Sequence, residues 1–335
     1  MRNLIMGDFV TFVAFAYGND WKTVIRNFLR MEPDLFTDAG FGGIGYQKSV
    51  AYNGIRVYYE GREELNEYEQ TVYPMGVCVS MSGDGCRAFE DFSETYQIID
   101  LLAFLLPYAD NDDVHITRLD IAADDKEGFL DIGTIWRYIK TRQTNTRLEK
   151  KRLIEDIPDG GHAGGMTIYI GSTSSAFRFR IYDKAKEQGD YESHWIRVEM
   201  VCRDEYAEGA ARQLVAMRDR IGECVAGMIK ARLDFIELDH TRRTNCTVAA
   251  WWTRFLEVVQ AIEFFAKEKP VRTADKLHDW IYSQLAASLA TAREIFGDSF
   301  IGAVLADGRQ RLNRFQRALV SDYFASQGLP SPFVM

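Results

Sequence analysis

Three runs in the middle of the chain alternate apolar and charged residues with a period of two, a pattern that no helix accommodates. In His115–Ala123, Arg118 and Asp120 fall on one side of an extended strand together with Ile116, while His115, Thr117 and Leu119 fall on the other. In Phe177–Lys184, Arg178, Arg180, Tyr182 and Lys184 share a side opposite Phe177, Phe179 and Ile181. In Trp195–Cys202, Trp195, Arg197 and Glu199 oppose Ile196 and Val198. Side chains of a strand project alternately to the two faces of a sheet. Each run therefore has one apolar and one mixed-charge side, as in an antiparallel sheet packed on one face and polar on the other. If the three strands are neighbours, Asp120, Glu199 and Tyr182 converge among five cations.

The rest of the chain frames these strands. Asp8–Ala16 reads as a strand, and Asn19 or Asp20 caps a short helix through Leu29. Asn53-Gly54, between Tyr46–Tyr52 and Ile55–Glu60, is a strong hairpin signal because both residues tolerate positive φ. Gly76–Met81 is a strand, and an apolar helix runs from about Arg87 to Leu106, ended by Pro107. The order then recurs. His115–Ala123 is followed by a helix over Leu130–Thr141, a hairpin of Thr167–Gly171 and Phe177–Lys184, the strand Trp195–Cys202, and a helix over Asp204–Lys230. Arg56-Val57-Tyr58 parallels Arg180-Ile181-Tyr182, which reads as a degenerate tandem repeat.

Past Asp239 the chain reads as helical. Val248–Ala266 carries Trp251, Trp252, Phe255, Leu256, Val259, Ile262 and Phe265 at helical spacing. Pro270 breaks this helix, Thr273 caps the next, and a final helix holds Arg309, Arg311, Arg314 and Arg317. The expected fold is α+β: a curved antiparallel sheet of two β-α-β-β-β-α-like halves with helices on one face, then a helical C-terminal region. The expected divisions are 1–110, 111–240 with the site, and 241–335.

Composition removes several classes. Over 335 residues, 47% are hydrophobic, too many for a disordered chain. Forty basic and 49 acidic residues give a net charge of −9, which excludes a globally basic coat protein. A local basic groove remains open, since affinity depends on the phosphates contacted. Five cysteines without a CxxC pair point to a reducing cytoplasm, not to disulfides or a four-cysteine zinc site. The apolar stretch Ile98–Leu106 contains Asp100 and is far shorter than the roughly 20 residues of a membrane span. Gly40-Phe41-Gly42-Gly43-Ile44-Gly45 fits GxGxxG but lacks the strand before and helix after that a dinucleotide site needs. There is no Gly-Lys pair for a phosphate-binding loop and no GxSxG. Asp110–Asp113 resembles the start of a calcium loop, but His115 and Ile121 stand where its Gly and Glu belong.

The mixed-charge face itself reads in two ways. It is a solvated charge ladder, or its two carboxylates take a hard divalent cation. In the second case a tyrosine beside cations and a metal ionises below its usual value of about 10 and serves as a nucleophile. Spacing does not choose between them.

Resemblance adds a direction. Thr117-Arg118-Leu119-Asp120-Ile121-Ala122, Phe179-Arg180-Ile181-Tyr182-Asp183-Lys184 with Glu187, and Ile196-Arg197-Val198-Glu199 resemble motifs of the replication initiation factor (Rep_trans) family. Its members are rolling-circle plasmid and phage replication initiators and relaxases of some conjugative elements. Ser82-Gly83-Asp84-Gly85-Cys86-Arg87 resembles the family's Gly-Cys-Arg segment, and the match runs over roughly residues 8–240. Trp251–Leu256, Asp279-Trp280 and Ser288-Leu289-Ala290 resemble its C-terminal part more loosely.

The resemblance implies a nicking-closing enzyme with Tyr182 as nucleophile, assisted by Arg180 and Lys184. It implies Asp120 and Glu199 as acidic residues of a site for Mg²⁺ or Mn²⁺, with Glu187, then Asp124, as candidate third ligand. Expected DNA contacts are Arg118, Arg178 and Arg197. To these the sequence adds a basic run, Arg137, Lys140, Arg142, Arg147, Lys150, Lys151 and Arg152, opposed only by Glu149. Expected partners are origin DNA, single-stranded or extruded, a second copy of the chain, and a host or element-encoded helicase. The expected setting is a bacterial cytoplasm, without a membrane. Two other readings stay open here: a non-catalytic DNA-binding replication or copy-number regulator, and an unrelated acidic α+β hydrolase whose carboxylates act on water.

Overall fold

The computed structural model describes residues 4–66, 68, 70–93, 95–156, 164–261, 274, 277–278, 281–282, 286–310, 312 and 314–333. Its strands are β1 (Leu4–Ala14), β2 (Thr37–Asp38), β3 (Lys48–Tyr52), β4 (Ile55–Tyr59), β5 (Glu64–Leu65), β6 (Thr71–Val72), β7 (Val77–Met81), β8 (Val114–Asp125), β9 (Thr144–Asn145), β10 (Lys151–Glu155), β11 (Met166–Ile170), β12 (Phe177–Asp183), β13 (Ile196–Arg203) and β14 (Asp234–Phe235). Ten of them form one antiparallel sheet in the order β10-β11-β12-β13-β8-β1-β7-β4-β3-β2. The order is palindromic about the β8–β1 seam: each half contributes five strands in the same relative positions. Each half thus has one more edge strand, β2 or β10, than its sequence pattern announces.

Local chemistry accounts for the turns and caps: Asp20 accepts from the Thr23 N–H and starts the short helix α1 (Trp21–Val24). Asn53 and Gly54 both take positive φ, 42° and 83°, and close the β3–β4 hairpin. A Cβ on Gly54 would lie 2.6 Å from the Gly85 nitrogen, so the glycine lets the helix α2 (Gly83–Phe92) seat on the turn. The apolar run expected as one helix is two, α2 and α3 (Ile98–Ala109). Gln97 restarts it, its N–H donating to the Asp100 carboxylate in a capping box. Pro107 sits inside the last turn of α3 and does not end it. The second long helix also divides, into α6 (Glu205–Ala216) and α7 (Ile221–Lys230) around a 3-10 turn at Arg218–Arg220.

One face of the sheet, with Val10, Phe12, Val57, Val79, Leu119, Ile121, Phe179 and Val198, is fully buried in the core. Helix α3, α4 (Ile132–Lys140) and α6 pack against these strands. Ile116 belongs to this apolar side, contrary to simple alternation. Thr11 pairs with Arg118 but Phe12 with Ile116, so Thr117 is an extra residue and the bulge reverses the parity of β8. A second irregularity, between Ile5↔Ala122 and Phe9↔Asp120, inserts residues of β1 around Asp8.

The chain divides into two compact units, Met1–Phe264 and Phe265–Met335. Helix α8 (Ala250–Gln260), grouped by sequence with the C-terminal helices, belongs to the first unit. Its Trp252, Phe255 and Val259 are buried, with the Trp252 ring 4.9 Å from that of Phe235. The second unit contains helices Ala286–Phe296, Asp298–Gln310 and Arg314–Ser326. Ile262, Phe265, Pro270, Thr273, Asp279, Trp280 and Arg311 lie outside the described residues. Among the described residues no helix is long and apolar enough to cross a membrane.

Candidate active site

Strand registry assembles the site on the polar face of the second half. In one row across the sheet, Arg152 pairs with Tyr169, Tyr169 with Arg180, and Arg180 with Glu199. In the next, Thr167 pairs with Tyr182, Tyr182 with Arg197, and Arg197 with Asp124. Asp120 pairs with Val201, one step along from Glu199. The structure thus brings together Tyr182, Arg180, Glu199, Arg178, Arg118 and Asp120.

Their contacts differ from residue to residue. The Tyr182 Oη donates to Glu199 Oε2 at 3.3 Å. The Arg180 guanidinium lies 3.9 Å from the Tyr182 ring centroid, bonds Glu187 at 3.0 Å, and stands 3.8 Å from Glu199. Lys184, at the start of the single-turn α5 (Lys184–Glu187), also pairs with Glu187. Arg180 therefore stands between Glu187 and Glu199, and Glu187 does not join the Asp120–Glu199 pair. Asp120 is gripped by Arg118 through two bonds of 3.0 and 2.6 Å. Beside Tyr182, a cleft of about 330 Å³ is lined by Thr167, Arg180, Tyr182, Asp183, Lys186 and Glu187, among others.

Two expectations change on burial. Arg197, expected to contact DNA, is 1% exposed; it holds Asp124 through bonds of 2.7 and 2.9 Å and lies 3.0 Å from Asp8. Its charge is consumed inside the protein, and Asp124, a candidate ligand, is consumed with it. Tyr182 is 2% exposed, and burial, then the Glu199 carboxylate, push its phenol well above the ordinary value. That is opposite to the lowering that the surrounding cations suggest from sequence. Cys86 is a buried thiol pushed up by burial, with Sγ directed at the Met81 carbonyl.

The carboxylates carry the complementary signal. Burial, then the neighbouring Asp120, raise Glu199 to about 7. Burial raises Asp120 as well, against the pull of Arg118. Two adjacent buried carboxyl groups whose charge is incompletely compensated suit a hard, oxygen-preferring cation as donors. Among the described residues, no group of three His, Cys, Asp or Glu side chains is placed to enclose a metal.

The basic run leads from α4, with Arg137 and Lys140, to the edge strand β10, with Lys151 and Arg152. Arg137, Lys140, Arg142, Arg147, Lys150 and Arg152 are exposed and Lys151 is half-buried. Arg152 lies in the row of Arg180 and Glu199. Sequence reasoning missed Asp8, which is brought in by the β1 irregularity, and Arg203, one residue beyond the strand end drawn at Cys202. It also missed Tyr169, whose ring takes Arg152 at 5.3 Å and Arg178 at 5.8 Å.

The chain resembles known proteins over both halves. A family model described as Replication initiation factor matches residues 114–306, and one described as Rolling Circle replication initiation protein N-terminal domain matches 7–105. The Replication initiation factor match begins at Val114, the first residue of β8, so the two models divide the chain at the seam of the sheet. "Putative DNA relaxase NicK" of Bacillus subtilis (strain 168) is 24% identical over 324 residues, 91% of this chain and 88% of its own length. The solved structure of a rolling circle replication initiator protein from Geobacillus stearothermophilus superposes with a TM-score of 0.66 at 28% identity, covering 79% of this chain and 99% of that one.

Proposed function

The chain belongs to the replication initiation factor family, and on that premise we propose that it nicks and rejoins one strand of origin DNA with Tyr182 as nucleophile. The observation that carries this reading is the Tyr182–Glu199 hydrogen bond, set under Arg180 beside a cleft. The Tyr182 oxygen attacks the scissile phosphorus, the bond from phosphorus to the 3′ oxygen breaks, and the 3′ oxygen leaves with a proton. The 5′ end stays joined as a phosphotyrosyl ester. Reversal by a 3′-OH reseals the strand and needs no nucleotide cofactor.

Each neighbour has a part in this scheme. Glu199, whose Oε2 accepts the phenol's hydrogen bond, is placed to take its proton. Arg180 covers the ring and has two acidic partners, so an incoming phosphate competes for it and uncovers Tyr182. Arg178 and Arg180 each have a buried Nε without a hydrogen bond among the described residues, and both can neutralise phosphate charge. Lys184 adds charge through α5. Asp120 and Glu199 would hold Mg²⁺ or Mn²⁺, which when bound supplies Lewis-acid stabilisation of phosphate charge.

Partners follow from the chemistry. The scissile strand must be single or extruded to reach a sheet face, and the basic edge strand supports DNA binding. Unwinding beyond the nick needs a motor, and this chain has no Gly-Lys loop for one, so a host or element helicase acts with it. A second copy of the chain provides a second tyrosine for closure, in the cytoplasm of a bacterium. The decisive experiment is incubation with supercoiled DNA of the native locus in Mn²⁺ or in EDTA. Open circles bearing protein on a 5′ end support the reading; DNA binding without cleavage in either condition leaves a regulator.

A further inference from the structure

The first half repeats the Tyr182 site without its acids. Across β4 and β7, Arg56 pairs with Ser80 and Tyr58 with Cys78, as Arg180 pairs with Glu199 and Tyr182 with Arg197. Ser80 thus stands where Glu199 does. Phe9, paired directly with Asp120 across the seam, stands where Asp120 does. The Arg-x-Tyr element persists, but neither carboxylate does: Ser80 and Phe9 at those positions leave Tyr58 without the acid that Tyr182 meets.

What lies over this half is a glycine-rich loop. A Cβ on Gly42 would lie 1.9 Å from the Tyr46 carbonyl oxygen, and one on Gly43 would lie 3.2 Å from the Tyr58 ring. The glycines therefore let residues 40–45 fold tightly back over Tyr58, which gives the GxGxxG run a steric role in this loop. The same fold presents Phe41 and Ile44 outward, 59% and 66% exposed, with Ile44 held at φ 51°. A β-branched residue rarely adopts that conformation. Arg56 lies 4.7 Å from the Phe41 ring centroid and 5.8 Å from that of Tyr58, and forms no ion pair among the described residues.

We propose that this loop and Arg56 form a second binding face for single-stranded DNA, which holds the strand and does not cut it. The proposal rests on the reading of Tyr182 as the nicking site. An exposed ring with an unpaired guanidinium against it matches a base and its phosphate, since base–aromatic stacking tolerates any sequence. Continuity supplies the second argument. Arg203, Arg118, Thr11, Ser80 and Arg56 pair in one row across β13, β8, β1, β7 and β4. Four strand spacings, about 19 Å, separate its ends. Both ends are cationic, and the Thr11 hydroxyl donates to that of Ser80 between them.

The test uses the whole chain and fluorescent oligo-deoxythymidine of about 20 nucleotides, longer than one such site covers. Phe41→Ala with Ile44→Ala should weaken binding roughly 5- to 100-fold. Arg56→Gln should flatten the dependence of log affinity on log salt by about 0.7. In the unaltered protein, iododeoxyuridine-substituted strands should crosslink to the peptide holding Phe41 or Tyr58. Wild-type affinity and slope in the variants, or crosslinks confined to other peptides, overturn the proposal. Adduct formation at Tyr182 on native-locus DNA is scored in parallel. Adducts from the unaltered protein with unaltered binding in the variants sink the second face alone, whereas weakened binding in the variants with no adduct from the unaltered protein sinks the nicking reading alone.

Discussion

Tyr182 and Glu199 stand diagonally across β12 and β13, with the phenol oxygen 3.3 Å from the carboxylate. The contact ties the reactivity of one to the protonation of the other. Tyr182→Phe should abolish covalent protein–DNA adducts while leaving origin affinity within a few-fold, because only one oxygen is lost. Denaturing gels of labelled DNA check this. Adducts that persist in the variant would remove Tyr182 from the reaction.

The same carboxyl should leave a mark on stability. Glu199 rises from 4.5 to about 7 in the folded protein. A raised acid favours the fold while protonated, so its contribution is complete below about pH 4.5 and is lost as pH rises through about 7. Metal-free protein should lose up to about 3 kcal/mol by this route. Urea unfolding in EDTA across that window should show the loss in wild type and a flatter profile in Glu199→Gln. Parallel profiles would refute it.

Mn²⁺ should depend on both carboxylates. Asp120→Asn and Glu199→Gln should each lose metal-stimulated cleavage and the heat of Mn²⁺ binding in calorimetry. Undiminished heats in both variants would move the cation elsewhere.

Arg197 should behave as a structural residue. Removing one member of a buried ion pair strands the other, at about 3–5 kcal/mol. Arg197→Ala or Asp124→Ala should therefore lower the unfolding free energy by that order. Arg212→Ala, which breaks the exposed pairs with Glu208 and Asp110, should stay within about 1 kcal/mol per pair. Equal effects in chemical denaturation would contradict the assignment.

The basic edge should act on DNA alone. Lys150→Gln with Arg152→Gln should flatten the salt dependence of single-strand binding by up to about 1.4, from 0.7 per phosphate contact, at unchanged thermal stability. A wild-type slope would remove this edge from the DNA path.

Period-two alternation made the polar face legible, down to the convergence of Tyr182, Glu199 and Asp120. It could not distinguish Arg197 from Arg178, because both alternate alike and only the partner strand reveals that Asp124 lies opposite Arg197. The bulge at Thr117 was equally hidden: a bulge is a property of two strands, and β8 alone reads as regular. For the same reason simple alternation puts Ile116 on the polar side, whereas it pairs with Phe12 in the core. The sign of the Tyr182 shift depended on burial, which a count of nearby cations does not contain. The helix passes Pro107 because a proline removes only its own N–H bond, to the Ala103 carbonyl, and α3 runs just two residues beyond it.

The palindromic strand order has a consequence for cutting the chain. β1 and β8 meet along most of their lengths, so the two halves share a long paired seam. Either half expressed alone would present a long bare strand edge, with open N–H and C=O groups over a row of former core residues. Such an edge pairs with copies of itself. The half that carries Tyr182 is thus not a portable module: its longest strand edge is closed by the other half.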